Sequence, residues 1–264
     1  MMAETMLPKG TLSGRTAVVT GGGSGIGFGI ASELARLGAT VVLAGRKQER
    51  LEAAAQEIQT AGGQALAVPT DIRDPEQVDH LMNTAVEQTG RLDILVNNAA
   101  GNFIVDSDKL SVNGWNSVVN TVLNGTFYCT RAAGLKMIEL GNGGRMLSVV
   151  ASYAWTGGPR TVHSVAAKAG VIAMTKTLGV EWAHYGIRVN AICPGPTDTE
   201  GARPLWADPE EEKRLKAKIP VGRFGTVQEM AQAASYLLSP YADFVNGEVF
   251  VIDGGEWLGK GLTS

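Results

Sequence analysis

The sequence predicts an α/β fold, doubly wound, with a mostly parallel sheet of about seven strands covered by helices on both faces. Three observations carry this expectation. Short, continuously apolar segments alternate with helical patterns along the chain, as strands buried on both faces and their crossover helices require. A glycine-rich turn, Gly21 to Gly27, links the first apolar segment to the first helical pattern, the arrangement of a Rossmann-type dinucleotide fold. No Pro- or Ser-rich linker, repeat or low-complexity tract divides the 264 residues, so one domain over 1–264 is expected.

The elements follow in order. Thr16-Ala17-Val18-Val19-Thr20 is a short apolar strand. Ile26, Ile30, Leu34 and Leu37 then share one helix face, and Gly38 stops the helix. Residues 40–44 form the second strand, 47–61 a helix ended by Gly62-Gly63, and 65–68 the third strand. Pro75 opens a helix whose apolar face is Val78, Leu81, Met82, Ala85 and Val86, and residues 93–96 are the fourth strand. One long helix is expected over 113–140, then strand five at 145–150, a helix over 163–184 and strand six at 187–192. A helix at 226–238 and a last strand at 248–252 complete the chain.

Composition narrows the functions. A net charge of −3 gives no concentrated basic surface for a nucleic acid. The apolar stretches are too short to span a bilayer, and the first twenty residues lack a signal-peptide pattern. Leu262-Thr263-Ser264 is not a peroxisomal address. Cys129 and Cys193 both fall in expected buried elements as free thiols, and His80, His163 and His184 show no metal-ligand spacing. A reduced, soluble, cytoplasmic protein without metal, membrane or nucleic-acid partners is expected.

The cofactor site begins at the glycine turn. Gly21, Gly25 and Gly27 permit a tight turn, close approach of backbone amides to a pyrophosphate, and packing of helix on sheet. After strand two, where an acidic residue would hold the ribose hydroxyls of NAD, the chain has Gly45-Arg46-Lys47. Two cations there suit a 2′-phosphate, so NADP(H) is the expected cofactor; a solvated basic helix start is the plainer alternative. Asp71 is placed after strand three to accept from an adenine amine, while Asp74 fits the N-cap before Pro75.

Thr20-Gly21-x-x-x-Gly25-x-Gly27, Asn97-Asn98-Ala99-Ala100-Gly101, Asn124, Lys168, Pro194-Gly195 and Asp253-Gly254-Gly255 together resemble the short-chain dehydrogenase/reductase superfamily over nearly the whole chain. The doubled alanine followed by Asn102-Phe103, with Leu123-Asn124-Gly125-Thr126 and Pro194-Gly195-Pro196-Thr197, looks like the 2,4-dienoyl-CoA reductases. Most of the superfamily has a Tyr four positions before the Lys. Here that position is Ser164, and Tyr153 stands fifteen residues before Lys168, as in the mitochondrial-type dienoyl-CoA reductases.

The resemblance implies roles. Lys168 would bind the nicotinamide ribose, Tyr153 and Asn102 would donate hydrogen bonds to a thioester carbonyl, and Ser164 would assist. Arg73, Phe103, Ser111 and Arg203 fall at or near positions that contact the acyl-CoA in that family. The cofactor set comprises Gly21, Gly23, Ser24, Gly25, Ile26, Gly27, Arg46, Lys47, Asp71, Ile72, Asn98, Ala99, Lys168, Pro194, Gly195 and Thr197. The family also implies a homotetramer built through the two long helices and the last strand.

The chemistry suits the missing helical Tyr. Ketone reduction makes an alkoxide that needs an immediate proton donor. Hydride addition at C5 of a dienoyl thioester instead sends negative charge to the thioester oxygen, which needs hydrogen-bond donors. Each residue also has a plainer role: Tyr153 as a packed aromatic, Ser164 as a helix-start residue, Asn102 as a turn former, and Asn124 either bridging backbone within its helix or facing solvent. The segment 197–220 reads as a substrate lid, although its run Pro209 to Lys218, acidic first and basic last, equally suits a helix dipole. Two other functions stay open at this point: reduction of another activated alkene or carbonyl, and a catalytically silent NADP-binding protein.

Overall fold

The computed structural model describes residues 6–258; Leu262-Thr263-Ser264 lie outside the described residues. Seven parallel strands form one sheet in the order β3-β2-β1-β4-β5-β6-β9, with β1 Thr16–Thr20, β2 Thr40–Gly45, β3 Gln64–Pro69, β4 Ile94–Asn97, β5 Gly144–Val149, β6 Ile187–Pro194 and β9 Val249–Ile252. The strand order reverses between β1 and β4, which opens a crevice beyond their C-terminal ends.

Strand β1 explains why the sequence reads as continuous apolar runs. All five residues are buried, with Ala17 and Val19 in one core layer and Val18 in the other. The first layer takes helices α1 (Gly25–Arg36), α2 (Gln48–Thr60) and α9 (Val227–Leu237); the second takes α3 (Pro75–Thr89) and α5 (Gly125–Leu140). Helix α7 (Val162–Glu181) packs beside β6, where Val171 and Ile172 join Ala191 and Cys193 in a third cluster. Asp74 caps α3 by accepting from the Glu76 amide at 3.0 Å, and Pro75 takes the first helical position.

The expected helix over 113–140 is not regular. It runs as α4 (Val112–Val119), a π-turn at Asn120–Asn124 and then α5. Thr121 and Thr126 back-bond to the carbonyls of Ser117 and Val122, and Asn124 Nδ2 donates to Asn120 Oδ1 at 2.9 Å. The π-turn seats Gly125 against Ile72, where a Cβ would lie 2.8 Å from the Ile72 side chain. Asn124 thus bonds side chain to side chain within its own helix and does not bridge backbone. The expected helix over 163–184 gives way after Glu181 to a 3₁₀ turn at Ala183–Tyr185, closed by left-handed Gly186.

Two further elements had no clear periodicity to announce them. A single helical turn, α6 (Tyr153–Thr156), follows β5, and a second, two-stranded parallel sheet pairs β7 (Thr197–Asp198) with β8 (Gly225–Thr226). That pairing brackets residues 199–224, including α8 (Pro209–Lys216), whose three first-turn glutamates and three last-turn cations complement its dipole. Among the described residues no helix is long and apolar enough to cross a membrane.

Candidate active site

A cavity of about 370 Å³ opens at the C-terminal ends of β1, β2 and β4. Its floor is the glycine turn. Gly21 and Gly25 hold φ of 65° and 55°, conformations that favour glycine. A Cβ on Gly27 would lie 2.3 Å from Asn98 Nδ2 and 2.4 Å from the Gly21 carbonyl. Ser24 caps α1 with its backbone alone, its hydroxyl making no capping hydrogen bond. Ile26, by contrast, packs into the core below the turn.

Thr20 and Asn98 tie this turn to the loop after β4. The Thr20 hydroxyl accepts from the Asn98 and Ala99 amides at 3.0 and 3.1 Å, and Asn98 Nδ2 donates to the carbonyls of Thr20 and Gly21. The Asn98 side chain therefore shapes the cradle, while Asn98 and Ala99 also line it.

Arg46 and Lys47 line the same cavity, and Arg50, not singled out in the sequence, joins them one helical turn on. Asp71 and Ile72 form the far wall with Arg73. Asp71 is ion-paired to Arg73, whose Nε lies 2.9 Å from Asp71 Oδ1. The Arg73 guanidinium and backbone amide hold the Asp71 carboxyl below the usual carboxylate range, against the opposing pull of partial burial. The structure thus places Arg73 in this cavity, apart from Phe103 and Ser111.

At the end of β5 a second set converges. The Tyr153 hydroxyl on α6 lies 2.9 Å from Ser164 Oγ on α7, one turn before Lys168. Lys168 donates to the carbonyl of Val149, the last residue of β5. Burial pulls the Lys168 ammonium down to about 8 and pushes the Tyr153 phenol up, the Ser164 hydrogen bond partly opposing the latter. Cys193 lies fully buried on β6 close to both groups, and its own thiol is pushed up to about 12 by burial. Pro194 ends that strand, and Gly195 packs so closely on Asp253 that a Cβ would lie 2.7 Å away. Thr197 is buried just beyond, donating to the Gly195 carbonyl at 2.9 Å.

Asn102 lies exposed in the loop after β4. Its Oδ1 accepts from the Phe103 amide at 2.9 Å, so its Nδ2 hydrogens are left as the outward donors. Phe103 stacks on His163 with ring centroids 4.5 Å apart. His163 is fully buried, and neither ring nitrogen has a hydrogen-bond partner. Ser111 caps α4 by accepting from the Gly114 amide, and a Cβ on Gly114 would lie 3.0 Å from the Phe103 ring. Asn102, Phe103 and Ser111 thus lie on one rim, which the Phe103–His163 contact joins to the start of α7.

Arg203 is elsewhere. It pairs with Asp198 at 2.9 Å in a groove under 198–226, where Trp206 stacks on Phe224. Sequence reasoning also passed over His163, adjacent to Ser164, and Trp257, which packs on Trp155 beside Tyr153 at 5.3 Å. Adjacency to Ser164 was the available signal for His163; Trp257 meets Trp155 only through the fold.

Together these groups can cradle a dinucleotide and present two neutral donors, Tyr153 and Asn102, with the buried Lys168 one helical turn beyond Ser164. Comparisons with known proteins show the family. Residues 21–256 match a family described as enoyl-(acyl carrier protein) reductase. The chain is 45% identical over 92% of its length to a probable 2,4-dienoyl-CoA reductase of Bacillus subtilis, named as (2E)-enoyl-CoA-producing, covering 97% of it. It is 39% identical over 94% of its length to a peroxisomal 2,4-dienoyl-CoA reductase of Danio rerio, named as (3E)-enoyl-CoA-producing, covering 83% of it. A crystal structure of a short chain dehydrogenase from Bacillus anthracis superposes with a TM-score of 0.85 at 49% identity, over 92% of this chain and 96% of that one.

Proposed function

The chain belongs to the short-chain dehydrogenase/reductase superfamily and is an oxidoreductase of the kind that uses a nicotinamide dinucleotide, and from that premise we propose that it reduces 2,4-dienoyl-CoA to trans-3-enoyl-CoA with NADPH. The glycine cradle, which an added Cβ would fill, fits a pyrophosphate. Arg46, Lys47 and Arg50 fit a 2′-phosphate at the cavity's edge, since none of the three has an ion-pair partner among the described residues. Lys168 would hold the nicotinamide ribose. When bound, NADPH supplies a hydride, which this reading directs to C5 of the diene.

The residues of the chain then manage charge. Tyr153 and Asn102 donate hydrogen bonds to the thioester oxygen as negative charge gathers there, each such donor being worth about 3–4 kcal/mol of barrier. Ser164 fixes the phenol by sharing its hydrogen bond. Lys168 adds positive charge in a setting shielded from water. A proton from water completes the reaction at Cα, leaving the 3-ene; delivery to C4 would leave the 2-ene, the product in the name of the Bacillus subtilis relative. The single observation that supports the reading most is the Tyr153–Ser164 contact, because it offers a phenol from α6 where most relatives project one from α7.

Consumption of NADPH with a 2,4-dienoyl-CoA, run beside a panel of ketones and 2-enoyl-CoAs, tests the substrate, and NMR of the product tests the double-bond position. Turnover of the ketones alone would make the protein a carbonyl reductase.

The same reading includes a homotetramer. Phe127 and Leu135 on α5, Val180 on α7 and Phe250 on β9 stand 46%, 49%, 80% and 44% exposed, too much apolar surface on these elements to leave wet. A cytoplasmic setting suits the two buried free thiols, Cys129 and Cys193.

A further inference from the structure

Between Tyr153 and Ser164 the chain makes a tight turn, Gly158-Pro159-Arg160-Thr161, closed by the Thr161 amide donating to the Gly158 carbonyl at 3.2 Å. Arg160 holds a φ of 66°, the only non-glycine residue among the described ones with positive φ. Proline followed by positive φ is the pattern of a type II turn, in which glycine or asparagine normally takes the third position. An arginine there strains the backbone for no local benefit, so its side chain is where to look for the compensating contact.

That contact reaches the other wall of the site. Arg160 Nε lies 3.1 Å from Asp106 Oδ1, and the Arg160 carbonyl accepts from the Val105 amide at 3.0 Å. Lys109 holds the other oxygen of Asp106 at 3.1 Å, which orients the carboxylate. Three residues upstream, Phe103 stacks on His163, three residues downstream of Arg160. The loop that carries Asn102 and the arm that carries Tyr153 and Ser164 therefore meet at two points, and Arg160 makes one of them.

We propose that Arg160 is a positioning residue: its guanidinium, reaching Asp106 from a strained turn, holds the loop bearing Asn102 and Phe103 against the arm bearing Tyr153. Arg160 touches no reacting atom; it fixes the spacing between the two donors. The inference rests on the reading of those two residues as donors to the thioester oxygen.

Arg160→Gly separates this role from a structural one, because glycine relieves the turn while removing the guanidinium. The variant should unfold at the same or a higher temperature than the wild type and bind NADPH equally well. Its kcat/KM for a dienoyl-CoA should fall by at least about threefold, at the upper part of the range for a surface ion pair. Amide exchange across residues 103–106, followed by mass spectrometry, should quicken. Asp106→Asn should do the same, the double variant should be no worse than either single one, and Arg160→Lys should restore part of the loss. Unchanged exchange, a smaller kinetic loss, or losses that multiply in the double variant would overturn the proposal. If the wild-type protein turns over no dienoyl-CoA, the functional reading fails, and the exchange measurement alone decides whether Arg160 holds the loop.

Discussion

The hydroxyls of Tyr153 and Ser164 lie 2.9 Å apart although they stand on different helices, α6 and α7. Ser164 occupies the helical position one turn before Lys168, and it is buried. Its hydroxyl holds a phenol that arrives from outside the helix. The pair brings a phenol to the serine one helical turn before Lys168, with no Tyr at that position of α7.

The proposed preference for NADPH rests on Arg46 and Lys47. Replacing both with Ala should raise the Michaelis constant for NADPH strongly and leave that for NADH nearly unchanged, because only the 2′-phosphate loses its partners. Steady-state kinetics with both cofactors checks this, and a wild-type preference for NADH would refute it.

The pH profile should report Lys168. Its ammonium is pulled down to about 8 by burial, so the charged form prevails below that pH and is lost above it. kcat/KM, which reports the free enzyme, should therefore fall as pH rises through about 8. Lys168→Met should abolish that limb while lowering activity throughout. A profile flat to well above pH 9 would mean that the charge plays no part.

The glycine cradle should tolerate no side chain at residue 27. Gly27→Ala would drive a methyl against Asn98 Nδ2 and the Gly21 carbonyl, at 2.3 and 2.4 Å. Overpacking of this kind should cost about 1–3 kcal/mol in chemical denaturation and weaken dinucleotide binding with it. An unaffected denaturation midpoint would show that the turn yields more readily than its packing implies.

The expected homotetramer is checked by size-exclusion chromatography with light scattering at micromolar concentration. A monomer there would leave Phe127, Leu135 and Val180 without the cover proposed for them.

The sheet was legible because its central strands are buried on both faces and so read as unbroken apolar runs, β1 being the clearest. The glycine turn was legible because its spacing sits between a strand and a helix. What escaped depends on particular side-chain contacts that periodicity does not encode. The π-turn at Asn120–Asn124 comes from threonine back-bonding and from Gly125 closing on Ile72, and helical periodicity carries neither. By resemblance Arg73 is expected at the acyl-CoA; the structure adds its ion pair with Asp71, in the cavity lined by the glycine turn. Arg160 was hidden for the opposite reason: the turn rules call for glycine where it stands.

The central claim is that Tyr153 supplies the donor the helix lacks. Its most direct test is the turnover of Tyr153→Phe on a 2,4-dienoyl-CoA, with NADPH affinity and unfolding measured alongside. The substitution should cut turnover by about 10²–10³-fold, the usual cost of one such hydrogen bond, and leave the other two quantities nearly unchanged. Ser164→Ala should cost less, and adding Ser164→Tyr should not rescue Tyr153→Phe. Near-wild-type turnover by Tyr153→Phe on a substrate the wild type reduces would contradict the account.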